Sequence, residues 1–204
     1  MLNRTKYFRK LCLSGSFLVG LIGLSNTAKA QFIGINADYA IDYSAAPGKV
    51  SGYSVGISHP APFIPNIGYS SVSFIDKESI TKPSDNSSVS QETTATIKTI
   101  NLFYNVPFPV VTITVGFGLG GVETITTIKE NNVDKDNSDS KDSVAEAFFH
   151  IGLPFWNTIE FHLGYHLMSF ESIDITKSVI LGGNYTTDKN YSGGMTTIGV
   201  QVAF

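Results

Sequence analysis

Apolar residues alternate with small or polar residues along this 204-residue chain, in runs of about ten positions. In the clearest run the apolar positions are Val111, Ile113, Val115, Phe117 and Leu119. The positions between them are threonine and glycine. Because successive side chains of a β-strand point to opposite faces, this pattern predicts strands that are apolar on one face only.

The alternation predicts eight strands, over residues 32–43, 50–59, 67–76, 94–106, 110–122, 144–153, 158–170 and 193–204. Helical periodicity is hard to find after residue 30, and no apolar run there approaches the roughly 18–20 residues of a transmembrane helix. The predicted fold class is therefore all-β, an eight-stranded antiparallel up-and-down β-barrel over residues 31–204.

Residues 1–30 have the features of a secretory signal peptide. Four basic residues precede an apolar stretch over residues 11–24, and Ala28-Lys29-Ala30 is a small-x-small cleavage site. Cleavage after Ala30 leaves the first strand almost at the new terminus. An uncleaved N-terminal anchor is the alternative. The sole cysteine, Cys12, precedes most of the apolar stretch, which disfavours a lipoprotein signal.

Removal of this segment leaves a mature chain without cysteine, so neither a disulfide nor a thiolate metal site is expected. The mature chain has 17 acidic residues and nine basic ones, all lysine, for a net charge of −8. A basic surface for nucleic acid is absent, and we expect no nucleic-acid partner.

Short and long connections alternate between the predicted strands. Three short ones share a proline–phenylalanine pair, at Pro62-Phe63, Pro107-Phe108 and Pro154-Phe155, spaced 45 and 47 residues apart. The connections over residues 77–93, 123–143 and 171–192 are long and polar. This asymmetry is typical of a transmembrane barrel in the bacterial outer membrane, with the short turns in the periplasm. We therefore expect the long acidic loops to be extracellular.

A membrane barrel is apolar on its outside, whereas a soluble barrel is apolar on its inside. Ionisable residues and glycines share the small or polar faces, as in a narrow lumen. Aromatic residues cluster near the short turns, where an interfacial girdle belongs; they are Phe63, Phe108, Phe155, Trp156 and Phe204. The apolar faces are therefore expected to contact outer-membrane lipid and lipopolysaccharide.

The last segment alternates from Thr196 up to the terminal Phe204. It resembles the C-terminal recognition strand of outer-membrane proteins, which implies the barrel-assembly machinery as a partner. We expect this strand to pair with the first one and leave no open edge, as lipid requires. We expect a monomer, with no residues left for a periplasmic domain.

The first short turn reads His59-Pro60-Ala61-Pro62-Phe63-Ile64-Pro65-Asn66. It resembles the His-Pro-x-Pro-x-(Leu/Ile)-Pro-Asn turn of an uncharacterised family of small proteobacterial outer-membrane barrels. Leu102-Phe103-Tyr104-Asn105 resembles the strand before that family's second turn. The match covers about residues 32–122, and the whole chain resembles the OmpA/OmpX-type barrels of Gram-negative bacteria. The resemblance implies a fold and a membrane but no catalytic residues.

The prolines of the short turns have a structural role, because each fixes φ and removes a hydrogen-bond donor. We expect Pro62, Pro65, Pro107 and Pro154 to end or begin strands, with Trp156 and Phe204 anchoring the barrel at the interface. His59 is expected to be structural as well.

Polar residues of the predicted strands six, seven, eight and one share the lumen. If residues 154–158 form a tight turn, His150 lies near Glu160 or His162, with Gln201, Asn36 and Asp38 on the adjoining strands. We expect these groups to form a hydrogen-bonded polar plug without a cofactor. The alternative is a metal site made of His150, Glu160 and His162, whose side chains suit zinc. His162 and His166 are roughly 13 Å apart along one strand and cannot both bind one ion.

The expected function is a structural or surface-interaction barrel of the outer membrane with a plugged lumen. A narrow, porin-like pore or small-ligand conduit is one alternative. A lipid A-modifying enzyme is another, since His166 is the histidine nearest the outer side and Ser169 is close to it in sequence. No serine or threonine lies in a recognisable catalytic motif, and we expect no enzymatic activity. The acidic segment 130–142 lacks the glycine and closing glutamate of an EF-hand, so a solvated loop is expected there.

Overall fold

A computed structural model of the chain describes residues 33–46, 48–61, 63–81, 88–108, 110–130, 133–155, 158–170, 173–177 and 185–204. The predicted signal peptide, Pro62 and Trp156 lie outside these residues, so the predictions made for them stay predictions. No helix in the described part is long and apolar enough to cross a bilayer.

The described residues form ten strands. They are β1 (Gly34–Tyr43), β2 (Val50–Ser58), β3 (Asn66–Thr81), β4 (Ser88–Pro107), β5 (Thr112–Glu130), β6 (Val133–Pro154), β7 (Ile159–Phe170), β8 (Ile173–Lys177), β9 (Tyr185–Lys189) and β10 (Gly193–Ala203). Eight of them close into a barrel in the order β1-β10-β7-β6-β5-β4-β3-β2, while β8 and β9 form a separate two-stranded sheet.

The barrel closes between its first and last strands. β1 and β10 are antiparallel over their length, with Gly34 opposite Ala203 and Tyr43 opposite Met195. Beyond this ladder, the amide of Phe204 donates to the carbonyl of Ile33 at 2.8 Å. All the other neighbouring strands of the barrel also pair antiparallel. The predicted eight-stranded antiparallel barrel and the predicted pairing of its terminal strands are confirmed.

The outer surface of the barrel is apolar and its interior is polar at mid-height. On β5 and β7 the side chains of Phe117 and Leu163 point outward and are 54% and 55% exposed. Thr114 and His162, on the opposite faces of the same strands, are buried. A soluble barrel has the reverse arrangement, because its apolar residues fill the interior. The exterior therefore suits lipid, as the alternation predicted.

Four strands run further than the sequence predicted. β3 and β4 cover most of residues 77–93, and β5 and β6 cover most of 123–143, so the prediction of long loops there was wrong. The inward side chains Val122, Thr124 and Ile128 stay buried in this extension. β-Branched residues favour strands whether or not they are apolar. The alternation of apolar and polar residues is weaker in this extension because charged residues lie on its outer face.

The lumen has two layers, of which the sequence predicted only the polar one. Near the end of the barrel at which β3 to β6 extend further, buried apolar side chains pack into a cluster that includes Tyr43, Phe74, Tyr191 and Met195. The Phe74 ring lies 5.2 Å from that of Tyr43 and 5.1 Å from that of Tyr191, between centroids. The Tyr43 hydroxyl donates to the carbonyl of Tyr191. This cluster fills the lumen above the polar layer.

Candidate functional site in the barrel lumen

Strand register brings together ionisable side chains that are far apart in sequence. Asp38 on β1 lies opposite Gly199 on β10, and Gly199 lies opposite His162 on β7. Because Gly199 has no side chain, the two groups meet across it. A Cβ atom at Gly199 would lie 2.4 Å from both Asp38 Oδ1 and His162 Nε2. The glycine therefore provides the space in which the carboxylate contacts the imidazole.

Two carboxylate–imidazole pairs lie in this layer. His162 Nε2 is 2.5 Å from Asp38 Oδ1, and His166 Nδ1 is 2.5 Å from Glu146 Oε1. Both carboxylate side chains are 0% exposed. An ionised carboxylate is retained in so dry a place only when a cation or strong donors compensate its charge. Each pair therefore satisfies groups that would otherwise destabilise the barrel.

His150 lies between the two pairs. Its Nε2 is 3.2 Å from His166 Nε2, and its Nδ1 is 3.9 Å from Asp38 Oδ1. Its ring is within 10° of parallel to that of His162, with centroids 5.1 Å apart. We call the five side chains the lumen cluster; they are Asp38, Glu146, His150, His162 and His166. The cluster crosses the interior from β1 to β6 as one connected set of titratable groups.

Neighbouring residues hold the lumen cluster in place. Thr99 donates through its hydroxyl to Glu146 Oε2 at 2.6 Å, and Thr197 Oγ1 lies 3.2 Å from His166 Nε2. The Phe148 ring stacks on His166 at 5.0 Å between centroids. Satisfaction is incomplete, however. Among the described residues, Asp38 Oδ2 and Asn36 Oδ1 are buried oxygens without a hydrogen-bond partner. An unsatisfied buried acceptor is costly, so these oxygens mark where a ligand would be stabilised.

The metal-site alternative from the sequence is altered by the structure. His150 and His162 do come together, as the tight turn between β6 and β7 predicted. Glu160 does not join them, because it lies opposite Pro154 at the turn, with its carboxylate above Gly152. Asp38 takes its place, and its ligand atom lies within 4.8 Å of those of the two histidines.

The sequence analysis did not predict the contact between Glu146 and His166. A tight β6–β7 turn fixes the register of that hairpin, so His166 lies opposite Phe148, two residues from Glu146. Residues so related are diagonal neighbours on one face of a sheet and are within reach of long side chains. The turn alone therefore contains the information needed to find this pair.

Three of the prolines lie at strand ends. Pro107 ends β4, Pro154 ends β6 and Pro65 precedes β3. In the first turn, His59 donates through its backbone amide to Asn66 Oδ1 at 2.9 Å, and its Nδ1 accepts from the amide of Ala61 at 3.2 Å. His59 thus contributes two hydrogen bonds within the first turn.

No protein-family model matches this chain, and no curated protein sequence matches it. Solved structures do. A major outer-membrane protein of Thermus thermophilus is 11% identical, with 84% of this chain and 99% of that one covered, at a TM-score of 0.52. The N-terminal barrel of OprF from Pseudomonas aeruginosa (13% identical, 84% and 96% covered) and the attachment invasion locus protein Ail of Yersinia pestis (8%, 84% and 96%) both have TM-scores of 0.45.

The Thermus structure supports the fold alone, because the sequence identity is so low. The barrel itself is the argument for a membrane location. Its sheet is closed and leaves no free strand edge, and its outer surface suits hydrocarbon. The chain is thus a small eight-stranded outer-membrane β-barrel protein, and the predicted location in the outer membrane is confirmed. The resemblance to the family of small barrels with a His-Pro-x-Pro-x-(Leu/Ile)-Pro-Asn first turn stays a prediction.

Proposed function

We propose that the protein is a closed barrel with a structural or surface-interaction role, which neither conducts solutes nor modifies lipid. The filled lumen is the observation that carries this proposal. The lumen cluster occupies the middle of the barrel, and the apolar cluster around Phe74 occupies the end at which β3 to β6 extend further. An eight-stranded barrel has an interior just wide enough for side chains, so two packed layers of described side chains support a closed lumen.

A projecting sheet supports the surface-interaction role. Pairing of β2 with β3 ends at Phe74, whereas β3 and β4 stay paired as far as Thr81. On the other side, pairing of β6 with β7 ends at Val144, whereas β5 and β6 continue to Val133. The outer parts of β3, β4, β5 and β6 therefore form a four-stranded sheet beyond the closed barrel.

This sheet is polar on the outside. Lys77 lies 3.0 Å from Glu92, and Lys141 lies 3.0 Å from Glu123, in exposed ion pairs. Charged outer faces suit water and not hydrocarbon. We place the sheet outside the cell, with the proline-containing turns in the periplasm, and infer that it contacts partners or lipopolysaccharide there.

Planar-bilayer recording tests the closed lumen. The purified barrel, with folding checked by heat-modifiable migration on a gel, should give no stable conductance. An open porin incorporated in the same way is the positive control. Discrete conductance steps that recur between preparations would contradict the proposal and favour the narrow pore.

Single-cysteine labelling tests the orientation. In a Cys12→Ser background, Ser79→Cys on the projecting sheet should react with a membrane-impermeant maleimide on intact cells. Ala61→Cys, in the first proline turn, is the matched control and should react only after the outer membrane is opened. The reverse result would place the sheet in the periplasm and remove the surface role.

Lipid A mass spectrometry tests the enzymatic alternative. Cells with and without the protein should give the same lipid A species. A new species that disappears in a His166→Gln variant would establish a lipid-modifying enzyme.

The assembly partner is a separate proposal. Phe204 is an exposed aromatic residue at the end of the closing strand. We infer that the barrel-assembly machinery recognises it, so Phe204→Ala should slow the appearance of the heat-modifiable folded form in cells, whereas Phe63→Ala, an exposed turn phenylalanine, should not.

A further inference from the structure

We propose that Asp38, His150 and His162 form a binding site for one divalent transition-metal ion, zinc or a chemically similar cation, inside the lumen. Each residue offers one ligand atom, and the three atoms lie within 4.8 Å of one another with all three residues buried. The site goes beyond the closed-barrel role, because a barrel with or without the ion would be equally closed.

The donor set suits the ion. Imidazole nitrogen and carboxylate oxygen are standard zinc ligands, and three protein ligands with an open fourth position occur in many zinc sites. Cobalt and nickel accept the same donors, so the chain's geometry defines a class of ion and not a single element. Hard ions such as calcium need six or more oxygens, which these residues do not supply.

The distances fit after small movements. Zinc bonds of about 2.0–2.1 Å in a tetrahedron place ligand atoms roughly 3.3 Å apart. Asp38 Oδ1 is 2.5 Å from His162 Nε2 and 3.9 Å from His150 Nδ1, on either side of that value. Because all three ligand atoms lie within 4.8 Å of one another, each pair is within about 1.5 Å of the tetrahedral value.

An unsatisfied oxygen marks the same place. Asp38 Oδ2 has no hydrogen-bond partner in the described part of the chain, and water cannot supply one because the Asp38 side chain is wholly shielded from solvent. Gly199 leaves open the space between the carboxylate and His162. A cation beside Asp38 would compensate a charge that a single imidazole contact leaves half satisfied.

The remaining lumen cluster supplies outer support. Metal-bound histidine usually donates its second ring N–H to another acceptor, which fixes the tautomer and the ring. With Nδ1 of His150 directed to the ion, its Nε2–H donates to His166 Nε2, 3.2 Å away. His166 then donates through Nδ1 to Glu146 Oε1 at 2.5 Å. The chain from Glu146 through His166 orients His150 as a ligand, which a plain polar plug does not require.

Metal titration decides between an ion site and a plug of hydrogen bonds alone. The untagged protein is purified from outer membranes in detergent, stripped with a chelator, and titrated with Zn²⁺ against a chromophoric competitor and with Co²⁺ by absorption spectroscopy. One portion is refolded with the ion present, so that a closed lumen cannot hide the site. We expect one ion per chain and a Co²⁺ spectrum of low coordination number.

Variants locate the ion. Loss of a residue that supports a metal ligand typically weakens binding roughly 10- to 100-fold, and we expect about that loss for His166→Gln. Asp38→Asn and His162→Gln remove ligands and should weaken Zn²⁺ binding by more. Gel mobility confirms that each variant is folded. Glu160→Gln and His59→Gln should bind as the unaltered chain does. Absence of binding in both loading procedures, or equal binding by Asp38→Asn and the unaltered chain, would overturn the proposal. A conductance found in bilayers would leave this result unchanged, so the two proposals fail separately.

Discussion

His166 Nδ1 lies 2.5 Å from Glu146 Oε1, and both side chains are buried inside the barrel. The second carboxylate oxygen of Glu146 accepts from Thr99, so one carboxyl group satisfies donors on two strands. Groups connected in this way depend on one another, because removal of one leaves polar atoms of its neighbours unsatisfied in a dry interior. The pair therefore has a larger expected effect on stability than any ion pair on the outer surface.

Glu146→Ala should lower the free energy of unfolding by about 3–5 kcal/mol, since it leaves the buried Nδ1 of His166 and the Thr99 hydroxyl without their acceptor. Urea unfolding in lipid vesicles, followed by gel mobility, measures this. Glu146→Gln keeps a hydrogen-bond acceptor, so its free energy of unfolding should lie between those of Glu146→Ala and the unaltered chain. Glu123→Ala is the control, because Glu123 and its partner Lys141 are exposed and such pairs contribute little. Equal losses for Glu146→Ala and Glu123→Ala would contradict the expectation.

Gly164→Ala should destabilise the barrel by overpacking. A Cβ atom there would lie 2.3 Å from Thr197 Oγ1 and 2.6 Å from His150 Cδ2, so the lumen cluster would have to move. The expected loss is about 1–3 kcal/mol. At Gly121 the added atom would meet only the carbonyl of Asp142, at 3.4 Å. Unfolding midpoints should therefore fall for Gly164→Ala and stay near the unaltered value for Gly121→Ala; the opposite order would refute the packing described for the lumen.

The barrel could be predicted from the sequence because alternation survives in the membrane part of all eight barrel strands. Side chains alternate between the two faces along the whole length of a strand. Once one residue of a strand is assigned to the lipid or the lumen, the faces of the other residues follow. The signal fails in the outer parts of β5 and β6. There charged residues such as Glu123 and Lys141 share the outer face with an isolated apolar residue, Ile125, so the alternation is lost and the sequence resembles a loop.

The site was predictable only within one hairpin. His150 and His162 lie on strands joined by a tight turn, so their proximity follows from the turn itself. Asp38 reaches them through two further strand pairs, across β10. That register depends on the shear with which the barrel closes, a property of the whole sheet that no local pattern encodes. The sequence therefore predicts Asp38 as part of the polar plug but not as the carboxylate nearest the two histidines, and the predicted metal site contains Glu160 instead.

Leu163→Arg tests which face of the barrel contacts lipid. Leu163 points outward, and its cross-strand neighbours Ile151 and Ile198 are apolar. A cationic side chain at mid-bilayer should cost about 2–4 kcal/mol of unfolding free energy in vesicles, against about 0–1 kcal/mol near the interface. Ile125→Arg is the matched control, because Ile125 also points outward but lies between Thr94 and Asp139. A similar small effect at both positions would mean that the apolar surface is not in hydrocarbon.

Tyr191 gives the protein a sensitivity to alkaline pH. Burial, reinforced by the negative charge of Asp76, raises the pKa of the Tyr191 hydroxyl above its ordinary value of 10. The unfolded chain loses this proton first as pH rises, so the stability that Tyr191 contributes is fully present below about pH 10 and declines above it. Tyr191→Phe removes the hydroxyl and its 3.1 Å hydrogen bond to Asp76. The variant should therefore be less stable than the unaltered chain at about pH 8, and the difference should shrink at about pH 11. Urea midpoints of the two proteins at both pH values measure this, and a difference that stays constant or widens would show that the hydroxyl does not remain protonated in the folded barrel.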